Sequence, residues 1–317
     1  MSNENTYFRV LHQSLDASLK IQLDQLTTPF NLEQTLTCGQ VFRWRRLGGW
    51  WYGVVDENVV KIRQNNGELQ FHTFPGGMDA DFLKNYFRLS DDLPHIQSQI
   101  NRDEHIGKAI QRFAGLRIIR QQPWECLISY ICATFKNIPA IKGMILNLSK
   151  RFGTEIAFDR YRFHTFPKPR DLANADIEHI RKCRLGFRAE RVLKTSRIIC
   201  HEESDLESLE ETDYEYARNE LLSLPGVGQK VADCILLFSL DKLEAFPVDV
   251  WLKRVILESY SGCFERSFIE RIRDKKSLTP QEYREISRFG QRYFGRHAGY
   301  AQEYLFAYAR SMMHLSV

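Results

Sequence analysis

Residues 222–234 read Leu-Ser-Leu-Pro-Gly-Val-Gly-Gln-Lys-Val-Ala-Asp-Cys, and this stretch decides the architecture of the second half of the chain. The pattern predicts a helix that ends near Leu224, a tight turn through Gly226 and Gly228, and a second helix that begins at about Gln229. Glycine lets the backbone turn sharply and approach a ligand closely. The free N–H groups and the positive dipole end of the second helix form an anion site that fits a phosphate. An ordinary corner between two helices is the alternative interpretation.

Two residues close to this turn are candidates for catalysis. Lys230 lies in the first turn of the second helix, where the helix dipole and partial burial would lower its pKa and free the amine as a nucleophile. Asp249 follows within Phe-Pro-Val-Asp-Val-Trp at residues 246–251, where it is expected to cap a helix from Val250 while its carboxylate faces a cleft. The alternatives are an exposed surface lysine and an aspartate that only caps the helix.

The two halves of the chain differ in their hydrophobic period. Before about Phe82, β-branched and aromatic runs alternate with Gly-Gly and Asn-Gly turn signals, which predicts an antiparallel sheet with at least one helix. The predicted strands are residues 40–44, 50–55, 59–63 and 69–72. Later residues have a period of 3.6, which predicts an all-α second half. The predicted helices are residues 104–114, 124–134, 138–151, 176–183, 188–201, 213–223, 229–240, 250–260, 280–293 and 299–313.

The fold class is therefore α+β, and the 317 residues suit two domains. We place an N-terminal antiparallel β domain at residues 1–112 and a helical domain at residues 113–317, with the helical hairpin at about 213–240. Apolar residues make up 43% of the chain and charged residues 26%, which excludes disordered and collagen-like proteins. Residues 1–110 hold 11 Lys and Arg against 13 Asp and Glu, whereas the remainder holds 33 against 27. This positive excess in the second half favours a polyanionic partner.

The seven cysteines include no C-x-x-C pair, so we expect reduced thiols and no metal site. The chain has no apolar run long enough to cross a membrane, and its first residues do not read as a signal peptide. No basic cluster stands out as a nuclear signal. The expected location is therefore the cytoplasm, in association with the nucleoid.

Several separate motifs together resemble the helix–hairpin–helix (HhH-GPD) superfamily of DNA glycosylases, and within it the 8-oxoguanine DNA glycosylase/AP lyase family. The likeness extends from roughly Phe30 to Arg310. Besides the hairpin run and the Pro-Val-Asp-Val motif, the matching blocks are residues 39–44, 86–89, 119–126, 185–189 and 299–306. The resemblance implies a TBP-like N-terminal sheet domain, a double-stranded DNA partner that contains oxidised guanine, a monomer, and no cofactor.

The resemblance also assigns roles to the two candidate catalytic residues. Lys230 is expected to attack C1′ of the damaged nucleotide, release the base and form a Schiff base, after which elimination cuts the strand on the 3′ side. Asp249 is expected to stabilise positive charge that develops at the sugar. Members that only hydrolyse the glycosidic bond generally lack the lysine.

Four residues match the pocket for the flipped base. The Gly39 carbonyl would accept from N7–H of 8-oxoguanine and repel the N7 acceptor of guanine. Cys234 and Phe306 would sandwich the base, and Gln302 would read its Watson–Crick edge. The alternatives are core positions for Cys234 and Phe306, and a simple strand bend at Gly39.

The remaining matches concern contacts with the duplex. The hairpin would contact DNA through Gly226, Gly228 and Val231. The sequence departs from eukaryotic members at the turn Phe135-Lys136-Asn137, where Phe135 takes the position of an asparagine that fills the gap left by the flipped base. Three other positions also depart from those members: Ala140 replaces a cytosine-reading arginine, Phe187 replaces a tyrosine that wedges beside the unpaired base, and Trp251 replaces a histidine that touches a phosphate. Arg188 matches a second cytosine-reading arginine. We therefore expect weaker discrimination for cytosine opposite the lesion than in those members.

Two other functions are compatible with the hairpin. A monofunctional glycosylase for alkylated bases would also need Asp249, but Lys230 counts against it. A non-catalytic DNA-binding protein would need neither residue and would not need a β-rich partner domain with Gly39.

Overall fold

The computed structural model describes residues 19–23, 29–201 and 205–314. The predicted outer domain limits, residues 1 and 317, lie outside the described residues. The first part is a five-stranded sheet with the strand order β1-β5-β4-β3-β2. Its antiparallel pairing was predicted from the sequence, whereas β1 and the strand order were not. Its strands are β1 (Leu19–Gln22), β2 (Arg45–Leu47), β3 (Trp50–Val55), β4 (Asn58–Asn65) and β5 (Glu68–Phe74).

Both turns predicted from glycine-containing pairs join neighbouring strands. Leu47 pairs with Trp50 across Gly48-Gly49, and Asn65 pairs with Glu68 across Asn66-Gly67. All four turn residues have positive φ, between 42° and 82°, as two-residue hairpins of the type I′ class require.

The predicted strand at residues 40–44 is wrong, because β2 begins only at Arg45. Here side-chain hydrogen bonds take the place of the backbone bonds that a strand would make, since Gln40 Nε2 donates to the carbonyls of Thr35 and Arg117. Trp44 turns into the core and covers Gly53, where a Cβ atom would lie 2.4 Å from the indole ring. The segment is therefore a loop held by side chains.

All ten helices predicted from the period of 3.6 are present, with ends that differ by at most two residues. The structure adds short helices that the pattern did not predict, at Leu32–Thr37, Ala80–Tyr86, Leu93–Ile100, Pro169–Ala173 and Arg266–Arg273. The helices are α1 (Leu32–Thr37), α2 (Ala80–Tyr86), α3 (Leu93–Ile100), α4 (Glu104–Arg112), α5 (Pro123–Ala133), α6 (Ile138–Phe152), α7 (Pro169–Ala173), α8 (Ile177–Arg181), α9 (Arg188–His201), α10 (Tyr214–Ser223), α11 (Gln229–Ser239), α12 (Val250–Ser259), α13 (Arg266–Arg273), α14 (Pro280–Phe294) and α15 (Ala298–His314).

The second half is not entirely helical, because β6 (Glu155–Phe158) and β7 (Tyr161–His164) form an antiparallel hairpin. Its apolar side chains, among them Ile156 and Phe163, pack against the outer face of the sheet. The Tyr52 hydroxyl donates to Asp159 Oδ2 at 2.6 Å. The hairpin thus buries a sheet face that would otherwise expose apolar side chains to water.

Two larger clusters of buried side chains form the cores. One lies between the inner face of the sheet and helices α1 and α2, and the other fills the helical half. Helices α3 and α4, which lie within the predicted first domain, contribute Leu93 and Ile106 to the helical core. The boundary at residues 112/113 stays a prediction. No helix of the described part of the chain is long and apolar enough to span a membrane.

A buried carboxylate fixes the helical hairpin in the fold. Asp233 on α11 accepts from the hydroxyls of Tyr214 and Tyr283 at 2.8 and 2.6 Å, and from Arg218 Nε at 3.0 Å. These partners come from α10 and α14. Because a buried charge is tolerated only when it is paired and hydrogen-bonded, this network holds α10, α11 and α14 in one arrangement.

Candidate active site

A cleft of about 1130 Å³ opens beside the hairpin. Its walls come from the hairpin turn, the N-terminus of α12, the loop after α1, the turn between α5 and α6, and the C-terminal half of α15. Ten of the predicted site residues line it: Gly39, Phe135, Asn137, Gly226, Gly228, Lys230, Val231, Asp249, Trp251 and Phe306. The cleft lining does not include Cys234, Gln302, Phe187 or Arg188.

The hairpin turn has the geometry that its glycines predict. Gly226 has φ +89°, and a Cβ atom there would lie 2.9 Å from the Cβ of Arg191. Gly228 is the N-cap of α11 and supplies no side-chain cap. The first N–H groups of α11 therefore remain available to an anion in the cleft. The Val231 side chain is buried, so any contact that this residue makes with DNA is through its backbone.

Lys230 lies in the first turn of α11 and points into the cleft above an aromatic ring. Its Nζ is 4.7 Å from the centroid of Tyr130, a distance at which the ring face stabilises a cation. Burial acts to lower the pKa of Lys230, but Cys234, one helical turn later, and Asp249 raise it, and the net direction is upward. The prediction of a lowered pKa is therefore wrong.

Asp249 is the N-cap of α12, as predicted. Its Oδ1 accepts from the backbone N–H groups of Trp251 and Leu252, both at 2.9 Å. Burial raises the pKa of Asp249, against the opposing effects of these hydrogen bonds and of Lys230 and Arg310. One carboxylate oxygen therefore holds the helix end while the residue as a whole lines the cleft beside Lys230.

Gly39 occupies a backbone conformation that other residues rarely adopt. Its φ is +120°, and a Cβ atom would lie 2.9 Å from Arg310 Nη1 and 3.3 Å from the ring of Phe306. Gly39 lies in the loop after α1, not in a strand as the alternative interpretation assumed. A side chain here would enter the space beside Phe306, which explains the requirement for glycine.

The loop around Gly39 is held from several sides. Arg310 Nη1 donates to the Cys38 carbonyl. The Gln40 carbonyl accepts from Gln121 Nε2 at 2.9 Å and from the Tyr130 hydroxyl at 3.2 Å. These bonds hold the Cys38–Gly39 and Gln40–Val41 peptide units, which flank the unit that carries the Gly39 carbonyl.

The other base-pocket candidates lie around this loop. Phe306 is half-buried on α15, and Gln302 is on the same face one helical turn earlier. The Gln302 side-chain oxygen is buried and has no hydrogen-bond partner among the described residues. Since buried polar atoms are nearly always paired, this oxygen is suited to accept from a bound ligand. Cys234 is buried in the core beside Lys230.

Comparison with known proteins identifies the family. Residues 21–127 match the model for the 8-oxoguanine DNA glycosylase N-terminal domain, and residues 128–262 match the HhH-GPD superfamily of base excision DNA repair proteins. A probable N-glycosylase/DNA lyase from Methanothermobacter thermautotrophicus is 31% identical over 310 residues, which cover 89% of this chain and 94% of the relative. The chain belongs to the 8-oxoguanine DNA glycosylase family.

Solved structures of relatives have the same architecture. The Clostridium acetobutylicum 8-oxoguanine glycosylase/lyase, in complex with double-stranded DNA containing cytosine opposite 8-oxoguanine, matches with a TM-score of 0.80 and 29% identity, over 94% of this chain and 99% of that one. The N-glycosylase/DNA lyase of Saccharomyces cerevisiae is 31% identical over 79% of this chain and 73% of its own length. The family and the fold class predicted from the sequence are thus confirmed.

In this family member, exposed aromatic side chains flank the cleft. Phe135 is 80% exposed and has φ +54°, and Phe187 is 54% exposed. Asn137 caps α6, since its Oδ1 accepts from the backbone N–H of Ala140 at 3.0 Å. Trp251 is half-buried, and the Arg254 guanidinium lies 5.6 Å from its ring centroid. Large exposed apolar side chains at a cleft mouth indicate a binding surface.

Arg188 is 3% exposed. Its Nε donates to the Thr134 carbonyl at 3.0 Å, its Nη2 donates to the same oxygen, and its Nη1 donates to the Leu185 carbonyl at 3.1 Å. These bonds use three of the five N–H donors of the guanidinium. The structure gives this arginine the role of closing the C-terminal end of α5.

Four residues of the site were not predicted: Tyr130, Gln40, Arg310 and Glu303, which surround Lys230 and Gly39. Gln40 and Glu303 lie in matching blocks, but no chemical role was assigned to them. Glu303 is 2% exposed, and its Oε1 is buried without a hydrogen-bond partner among the described residues; burial raises its pKa to about 7, against the lowering effects of Cys38 and Arg310. Within the described residues, no group of three His, Cys, Asp or Glu side chains is arranged to hold a metal ion.

Proposed function

We propose that Lys230 and Asp249 carry out base excision and strand cleavage in this family member, and that its substrate is duplex DNA containing 8-oxoguanine. The observation that carries the proposal is the placement of one lysine amine beside one aspartate in a cleft that also contains the fixed Gly39 loop. An amine nucleophile is needed to form an imine with the sugar, and this imine makes the later elimination possible.

The reaction requires a nucleotide that has left the duplex, because C1′ of a stacked nucleotide is not accessible. Lys230 first gives up a proton. Its Nζ then bonds to C1′ as the bond from C1′ to the base breaks, and the bonding electron pair leaves with the base, which takes up a proton. Asp249 stabilises the positive charge that develops on the sugar during this step.

Strand cleavage follows from the same covalent link. Opening of the sugar ring gives the Schiff base between Lys230 and C1′, which acidifies the proton on C2′. Loss of that proton forms a double bond and expels the 3′ phosphate oxygen. Water then hydrolyses the imine and frees Lys230 for another cycle.

Lesion selection follows from the hydrogen-bonding pattern of the pocket. Guanine carries an acceptor at N7, whereas 8-oxoguanine carries an N–H donor there. The Gly39 carbonyl is an acceptor, so it attracts the lesion and repels the normal base. That Gln302 reads the Watson–Crick edge stays a prediction, because its unpaired side-chain oxygen is buried and the residue does not line the cleft.

The alternative of a monofunctional glycosylase has less support. A curated DNA-3-methyladenine glycosylase of Bacillus subtilis is 21% identical over 53% of this chain, which supports only a distant relationship. A glycosylase that uses water as the nucleophile needs no amine in the cleft, and Lys230 is such an amine. That the chain acts as a monomer stays a prediction.

Borohydride trapping tests the proposal on a duplex with one 8-oxoguanine opposite cytosine. Reduction should fix a covalent adduct with the wild type and none with Lys230→Gln. Lys276→Gln is the matched control, because Lys276 also lines the cleft but is exposed; it should keep the adduct.

Two results would count against the proposal. Wild-type protein that binds the duplex but forms no adduct would favour the monofunctional or non-catalytic functions, and alkylated bases would then be tried as substrates. An adduct that persists in Lys230→Gln would assign the imine to another amine.

A further inference from the structure

Arg310 on α15 is a charged side chain of the cleft to which the proposed reaction assigns no task. Its Nη1 donates to the Cys38 carbonyl. Among the described residues, the guanidinium makes no second hydrogen bond and no ion pair with a carboxylate. Because a guanidinium carries five N–H donors, most of them remain available to a ligand in the cleft.

Two further contacts locate the guanidinium. Its Nη1 lies 2.9 Å from the position that a Cβ atom on Gly39 would take. Its central carbon lies 5.2 Å from the ring centroid of Phe306. Burial raises the pKa values of Asp249 and Glu303, and the charge of Arg310 acts against this rise in both. The donors therefore lie where the Gly39 loop meets the Phe306 ring, within electrostatic range of the proposed catalytic aspartate.

The chemistry of the lesion supplies an acceptor at this place. The inference rests on the proposed function, in which the Gly39 carbonyl accepts from N7–H of the flipped base. In 8-oxoguanine the C8 carbonyl is bonded directly to N7, so the N7–H donor and the O8 acceptor lie side by side on one edge of the ring. A base that donates to Gly39 and stacks on Phe306 brings O8 within reach of a donor that contacts both residues, and Arg310 is such a donor.

The same oxygen collects charge when the base leaves. Breaking the bond between C1′ and N9 leaves its electron pair on the base, and because N9, C8 and O8 form one conjugated group, N9 and O8 share this pair. We propose that Arg310 donates to O8 and stabilises the negative charge that develops there. A guanidinium does not act as an acid, so the released base takes up its proton from water. Undamaged guanine carries a C–H group at C8 and receives no such assistance.

Rate and affinity separate this role from a contact that only holds the base. Arg310→Met keeps most of the side-chain volume beside Phe306 and removes every donor. In single-turnover assays it should excise 8-oxoguanine opposite cytosine about 100-fold more slowly than the wild type. Its affinity for a duplex with non-cleavable 2′-fluoro-2′-deoxy-8-oxoguanosine should fall by about tenfold at most, because O8 carries less charge before the bond breaks.

Replacement of O8 by sulphur tests the contact itself. 8-Thioguanine keeps the N7–H donor, but sulphur is a weak hydrogen-bond acceptor. The ratio of the excision rates of 8-oxoguanine and 8-thioguanine should therefore be about tenfold lower in Arg310→Met than in the wild type. Lys276→Met is the matched control, because it removes an exposed cation from the same cleft, and it should keep the wild-type rate and ratio.

Trapping on a preformed abasic site distinguishes this inference from the proposed function. No base is present there, so borohydride should fix the adduct of Arg310→Met as fast as that of the wild type, which also shows that the variant is folded. Failure of the wild type to form this adduct would refute the proposed function and, with it, this inference.

Three results would overturn the role of Arg310 alone. An unchanged excision rate in Arg310→Met would leave the arginine without a part in the step. An unchanged ratio between the two bases would show that the guanidinium supports the Gly39 loop and does not contact O8. Equal losses of affinity for damaged and undamaged duplexes, with a weaker salt dependence, would make it a phosphate contact.

Discussion

Asp249 combines two roles that a pair of substitutions can separate. Its Oδ1 accepts two backbone hydrogen bonds at 2.9 Å and so caps α12, and its carboxylate lines the cleft beside Lys230. Asparagine keeps a side-chain oxygen at the same place and caps helices about as well as aspartate. Asp249→Asn should therefore remain within about 1 kcal/mol of the wild-type unfolding free energy. The variant loses the attraction between the carboxylate and the helix dipole, but it also no longer buries a charged group, and the two effects partly cancel.

Asp249→Ala removes both capping bonds and should lower the unfolding free energy by about 1 to 2 kcal/mol. The two variants should nevertheless be equally poor enzymes. A preorganised group that faces developing charge typically contributes about 100- to 1000-fold to the rate, and both substitutions remove the negative charge. Single-turnover excision of 8-oxoguanine opposite cytosine gives the rate, and urea unfolding gives the stability.

The comparison refutes the reasoning if Asp249→Asn excises the base at nearly the wild-type rate, because Asp249 would then be a helix cap only. Equal stability of the asparagine and alanine variants would contradict the capping geometry. Activity that declines in proportion to stability across both variants would attribute the loss to misfolding.

Three further predictions follow from single residues. Gly39→Ala should lower the unfolding free energy by about 1 to 3 kcal/mol and reduce excision, because φ is +120° and the new methyl group would meet Arg310 and Phe306. Urea unfolding and excision assays measure the two effects. Gly143→Ala, where a Cβ atom would have open space around it, is the control in both assays. The pKa of Glu303 rises on folding to about 7, so its contribution to stability is present below pH 4.5 and is lost as the pH rises to 7. In urea unfolding, Glu303→Gln should therefore be more stable than wild type by up to about 3 kcal/mol at pH 8 and by little at pH 4.5. An equal difference at both pH values would contradict the raised pKa. Phe135→Ala should leave stability within about 0.5 kcal/mol, because the ring is 80% exposed, while excision slows; an unchanged single-turnover rate would rule out insertion of this ring into the duplex.

The regular helices could be predicted because each carries an apolar face that repeats with the helical period. The hairpin β6–β7 had a comparable signal, since Ile156, Phe158, Tyr161 and Phe163 alternate on either side of a two-residue turn. It was missed because the surrounding segments are helical. Arg266–Arg273 was missed for a different reason: Phe268, Ile269 and Ile272 form its buried face, but its eight residues span only two helical turns.

The residues of the cleft also divide into those that a local sequence pattern predicts and those that only tertiary packing brings to the site. The hairpin glycines, Lys230 and Asp249 lie in or near one motif, so local pattern and resemblance located them. Tyr130 and Arg310 reach the site only through the packing of α5 and α15 on the loop after α1. No pattern within a single segment encodes contacts between residues so far apart in sequence. Arg188 shows the reverse case, because it lies in a matching block but three of its donors are used within the fold, which no local pattern shows.

The pKa of Lys230 is raised, whereas the residues near it in the sequence predicted a lowered pKa. The helix N-terminus and burial both disfavour a cation, and both can be inferred from the sequence around Gly228. The tertiary structure adds Cys234 and the charge of Asp249, which raise the pKa and outweigh burial, and it places the face of Tyr130 4.7 Å from the amine. A raised pKa opposes the loss of the proton that the proposed reaction requires of Lys230. We expect a flipped nucleotide to offset this opposition, because it excludes water from the cleft and so strengthens the effect of burial, and because its sugar competes with Lys230 for the charge of Asp249.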